Sequence, residues 1–68
     1  MRSGTRFEIY IDDVDPITLA HAVPELPLES VSDVSVLSGR LLPEAFEVII
    51  RRIALLGGRV VGFRREDG

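Results

Sequence analysis

The sequence predicts a small α/β domain, an α+β-like two-layer sandwich of order β-α-β-α-β with a three-stranded sheet and both helices on one face. Three observations predict it. Residues 6–12 alternate apolar and polar side chains, the period of a half-buried strand. Residues 43–56 carry an apolar stripe at helical spacing and run into Gly57-Gly58, a helix with its stop. Residues 59–64, Arg-Val-Val-Gly-Phe-Arg, form a β-branched and aromatic run suited to a strand.

In the first strand Phe7, Ile9 and Ile11 point one way and Arg6, Glu8, Tyr10 and Asp12 the other. Asp15-Pro16 then reads as a helix N-cap with proline in the first helical position, where its missing N–H goes unmissed. Ile17, Leu19, Ala20 and Val23 make a short helix. Pro24 and Pro27 end it, because proline can neither donate a ladder hydrogen bond nor fit a helix interior.

Residues 30–38 hold a second strand without a single phase. Val34 and Val36 share one face, and Val31 and Leu37 lie on the other. Such a strand is buried on both faces, carries a bulge, or divides into two very short strands. Ser38-Gly39-Arg40 is expected to turn the chain into the main helix. That helix starts at Pro43, places Glu44 and Glu47 near the positive end of its dipole, and aligns Phe46, Ile49, Ile50, Ile53 and Leu56 on one face. The domain is expected to span residues 6–65, with disordered ends at 1–5 and 66–68.

This order resembles a ferredoxin-like or ACT-like fold lacking one strand. The likeness rests on the helix, glycine stop and strand of residues 48–63. It is one of element order over the last third of the chain and assigns no family. The glycine-containing loop that ligand-binding ACT domains place between first strand and first helix is absent; Asp13, Val14 and Asp15 stand there.

Composition narrows the function. At 68 residues the chain is one domain with a marginal core, a size for which oligomerisation is a common remedy. It has no cysteine, hence neither disulfides nor thiolate metal sites. A net charge of −3 argues against a general nucleic-acid binder, which needs a basic face. No apolar run approaches the ~20 residues of a membrane span, no signal-peptide core is present, and the expected address is the cytoplasm. All eight basic residues are arginine, and Asn and Gln are absent; a GC-rich coding sequence explains this more simply than an arginine-specific function. Residues 1–34 hold two Arg and seven acidic residues, and residues 35–68 six and four. That asymmetry suits either an anionic ligand or contact between copies of the chain.

No catalytic constellation emerges. Asp12, Asp13 and Asp15 offer oxygen ligands to a hard cation. The simpler reading gives Asp15 to the helix cap and leaves the other two in water, so no metal is expected. His21 could pair with Glu25, four residues on, but a general base also needs a partner nucleophile or orienting acid in space, and a histidine on the flank of a short helix is the simpler reading. Glycines 57, 58 and 62 follow a helix, whereas phosphate loops precede one. No cofactor is expected. The leading expectation is a non-catalytic, self-associating protein–protein interaction module that serves a larger protein or complex. A small-molecule or anion sensor of ACT-like type, with its ligand at a subunit interface, comes second, and a metal-dependent enzyme last. With Phe7, Ile9, Ile11, Val61 and Phe63 toward the helices, the expected contact face comprises Glu8, Tyr10, Val31, Leu37, Val60, Gly62 and Arg64.

Overall fold

A computed structural model describes residues 4–66. The elements are β1 (Thr5–Asp12), α1 (Pro16–Ala22), β2 (Leu28–Val31), β3 (Val34–Leu41), α2 (Pro43–Leu55) and β4 (Arg59–Glu66). They build one four-stranded sheet in the order β2-β3-β1-β4, with every neighbouring pair antiparallel. This overturns the three-stranded sheet and the β-α-β-α-β order. β1 and β2 do run in the same direction, but β3 lies between them, so no parallel neighbours form. The result is an α+β fold of β-α-β-β-α-β order, the split βαβ or ferredoxin-like arrangement, complete with the strand thought to be lacking. β1 begins and β4 ends one residue outside the expected domain limits; residues 1–3 and 67–68 lie outside the described residues.

The correction has a local cause. The stretch read as one phase-broken strand is a hairpin, with Ser32 and Asp33 as its two-residue loop. Ser32 takes φ 56°, the left-handed region that tight hairpin turns require and that glycine or asparagine usually supplies. Across such a loop Val31 pairs with Val34. Paired residues share a face, so the apparent change of phase is the turn itself. β3 then continues through Ser38, Gly39 and Arg40 to Leu41 instead of turning there. Gly39 sits opposite Phe7, and a Cβ on it would come within 2.6 Å of Leu26 Cδ2, so the missing side chain admits Leu26 to the core.

The helices follow their signals closely. The Asp15 carboxylate accepts from the Thr18 N–H at 3.1 Å, the expected cap. α2 closes with Gly57 N–H on the Ala54 carbonyl and Gly58 N–H on the Ile53 carbonyl, both at 3.0 Å. Gly57 at φ 83° completes this Schellman stop. The core joins Phe7, Ile9 and Ile11 of β1, Leu37 and Leu41 of β3, Leu19, Val23 and Leu26 around α1, and Ile49 and Ile53 of α2. Both helices therefore cover one face of the sheet, and the other lies open.

Candidate interaction face

Register assigns each side chain to a face, because paired residues in an antiparallel sheet point the same way. Since Phe7, Ile9 and Ile11 are buried under the helices, Arg6, Glu8, Tyr10 and Asp12 point to the open side. Pairing carries this across the sheet in rows. Glu29, Val36, Tyr10 and Gly62 form one row. Ser38, Glu8 and Arg64 form the next, and Arg40, Arg6 and Glu66 the last. Beyond the Tyr10 row, toward the hairpin loop, Val31 and Val34 complete the face.

The face thus has two halves. The half nearer the hairpin loop is apolar: Tyr10, Val31, Val34, Val36 and Val61 line a shallow concavity of about 750 Å³, bordered by Glu8, Glu29 and Arg64. Val31 and Val61 are 55% and 50% exposed. The half nearer the N-terminus of β1 is charged. The Tyr10 hydroxyl donates to Glu8 Oε1 at 3.2 Å, and Arg64 approaches the same oxygen at 3.7 Å. These bonds link the two halves within one chain.

Of the seven residues expected on this face, Glu8, Tyr10, Val31, Gly62 and Arg64 are on it. The other two are not. Leu37 is fully buried under the helices, since the hairpin turns Val34 and Val36 outward in its place. Val60 packs against the core, because β4 carries a bulge between the pairs Tyr10–Gly62 and Ile11–Val60. Val61 has no partner in β1 there and lines the concavity; it had been expected under the helices. Phe63 keeps the helix side, 5.6 Å from the Phe46 ring. The outward residues missed from sequence, Val34, Val36 and Val61, all follow from the turn and the bulge.

The other candidates are engaged elsewhere. Asp12 and Asp13 lie 3.6 and 3.8 Å from Arg59, and Asp15 caps α1. Among the described residues no three His, Cys, Asp or Glu side chains gather as metal ligands. Glu25 pairs with Arg52 at 2.8 Å, not with His21. Arg52 also donates to the Ala22 carbonyl at 3.3 Å, tying α2 to the end of α1. A hydrogen bond from its own backbone, then the Arg52 guanidinium, hold the Glu25 carboxyl below the ordinary glutamate value. Among the described residues no helix is long and apolar enough to cross a membrane.

Comparison with protein families, with curated proteins and with solved structures finds no match to this chain.

Proposed function

We propose that the chain is a non-catalytic association module that binds a second copy of itself through the open face of its sheet and serves a larger protein or complex. The observation that carries this reading is the apolar half-face of Tyr10, Val31, Val34, Val36 and Val61, to which neither helix contributes cover. Contiguous apolar patches with polar borders mark interaction sites. Three strands of eight residues and one of four, at ~3.3 Å per residue and ~4.8 Å per strand, make a face of about 440 Å² in projection. That is below the ~600 Å² or more that each partner buries in a standard stable complex and suits a weaker, concentration-dependent contact. The cytoplasm is part of the same proposal, and the net charge of −3 favours protein over nucleic acid as partner.

The test is sedimentation over a concentration series with the Val36→Arg variant beside the parent. Val36 lies at the centre of the face, so arginine there is solvated in the monomer and buried without a partner in the complex. The expected result is an assembled parent and a monomeric, folded variant. Val60→Arg would not serve, since Val60 supports the core. A parent that stays monomeric at high micromolar concentration would remove the reading. The concavity favours the second reading, a small ligand at a subunit interface. A thermal-shift screen with amino acids, nucleotides and anions separates the two, because a ligand of the folded state raises the melting temperature.

A further inference from the structure

The two halves of the open face decide how a second copy can lie on it. A two-fold axis across the strands at the level of Ile9 lays Tyr10 and Val36 on Glu8, Ser38 and Arg64 of the other copy. Charge buried against an apolar patch costs far more than solvated charge at a border. Moving that axis to the level of Ile11 restores apolar contact, but only half of a face already small for a dimer then overlaps. An axis along the strands, between β3 and β1, keeps the whole overlap. Each row then lies on the same row of the other copy, reversed. Val36 comes over Tyr10 of the second copy, and Glu29 over its Gly62, which leaves open space where a Cβ would stand. Val31 comes over the stretch of β4 that carries Arg59 and Val61. The roughly 30° rotation of stacked, twisted sheets keeps the rows facing, and long arginine side chains span the offset it leaves at the end.

The same axis places the arginines. In the last row Arg6 and Arg40 are direct cross-strand partners, and both are exposed. Like charges in that position repel, and neither has an ion pair among the described residues. The axis passes between their strands, so the stack gathers Arg6 and Arg40 of both copies around it. Glu66 flanks Arg6 in the row and offsets one charge in each copy. Glu8, in the next row, is engaged by Arg64 and Tyr10. At the far end Arg59 lies beside Asp12 and Asp13, and Asp33 stays exposed at the hairpin tip. Uncompensated positive charge therefore collects at one end of the dimer, on its axis.

We propose that this chain dimerises with the apolar halves of its sheets stacked on each other, and that Arg6 and Arg40 of the two copies together hold a small multivalent oxoanion of the phosphate class. Guanidinium forks take phosphate oxygens in pairs, and an anion on the axis turns their mutual repulsion into attraction. An isologous interface supplies each arginine twice, so the site is complete only in the dimer. The proposal rests on the self-association reading and adds a ligand to it, at a place apart from the valine-lined concavity.

Equilibrium sedimentation in sodium chloride, with and without pyrophosphate at matched ionic strength, tests it. The parent dimer should tighten about tenfold when pyrophosphate stands near ten times its own dissociation constant, because a ligand of the dimer alone shifts the equilibrium by mass action. Arg40→Gln changes an exposed side chain. It should tighten the dimer about threefold in chloride, since solvated like charges are removed, and it should lose the response to pyrophosphate. A role for Arg40 in folding alone would produce neither effect. Weaker association of Arg40→Gln in chloride would mean that the arginines meet carboxylates of the second copy, and would overturn the proposal. A parent dimer indifferent to pyrophosphate, or a response that survives in Arg40→Gln, would overturn it as well. A parent monomeric at high micromolar concentration in both media would instead overturn the self-association reading itself.

Discussion

The two faces of this sheet are built from alternate residues of the same strands, yet their side chains meet opposite fates. On β1, Phe7, Ile9 and Ile11 are buried, and the intervening Glu8 and Tyr10 are only half-buried. On β3, Leu37 is buried between the half-buried Val36 and Ser38. Hydropathy alone does not separate Val36 from Leu37; the helices above do. One face holds the fold together, and the other, almost as apolar around Tyr10, contributes little to it. The comparison teaches that an isoleucine of α2 answers to folding, whereas a valine on the open face of β3 is released from that constraint and, on the function proposed above, answers to association.

The largest effect should come from crossing that divide. Ile53 is fully buried and belongs to the cluster that holds Ile9 and Ile11. Ile53→Ala removes three carbons and leaves a cavity, which should cost ~2–5 kcal/mol; in a domain this small that approaches the whole stability. Val36→Ala on the open face should cost less than about 1 kcal/mol under conditions that keep the protein monomeric. Urea unfolding of the two variants at low concentration measures both. Equal losses would mean that the open face is part of the core and that the distinction between the faces fails.

A smaller effect concerns the helix that closes the buried side. Asp15→Ala removes the acceptor for the Thr18 N–H and should lower stability by ~1 kcal/mol. The loss should be the same with and without magnesium or calcium, because the carboxylate acts on the backbone. Thermal melts with each ion check this. A loss that appears only with a divalent ion would return the aspartates to consideration as ligands.

How far these faces were legible in the sequence depended on the kind of signal. Strict alternation in residues 6–12 fixed which side of β1 is buried. The stripe from Phe46 to Leu56 fixed the buried side of α2, and Asp15-Pro16 and Gly57-Gly58 marked helix ends through backbone chemistry that no tertiary contact overrides. The misread stretches lacked such punctuation. Ser32-Asp33 makes a hairpin turn with neither glycine nor asparagine, so the break between β2 and β3 showed only as a slip in phase. Gly39 resembled a turn residue because its real role, admitting Leu26, depends on a neighbour 13 positions away. The bulge at Val61 left no mark, since two adjacent valines suit either face. Glu8, Tyr10, Gly62 and Arg64 on the open face follow from β1 and its regular pairing; Val31, Leu37 and Val60 sat where the phase was lost, and of these only Val31 faces outward.

The smallest expected effect lies at the border of the covered side, where Arg52 joins Glu25 and the end of α1. The Glu25 carboxyl is held below the ordinary glutamate value of about 4.3, so the folded state favours its charged form more than the unfolded chain does. The sign follows from linkage: the contribution is fully present above the ordinary glutamate range and is lost as pH falls through the lower folded value. The pair is half exposed and screened, so its share of stability is minor. The melting temperature of the parent should therefore fall with acidification below about pH 4 slightly more steeply than that of Glu25→Gln. The two should differ least at the most acidic pH, where the parent's carboxyl is protonated too. Raising the salt should narrow the difference at neutral pH. Melts of both proteins between pH 3 and pH 7 read the contrast directly. Parallel curves across that range would show that the Arg52 contact does not hold α2 against α1, and that burial of Leu19, Val23, Ile49 and Ile53 keeps the helices on their face unaided.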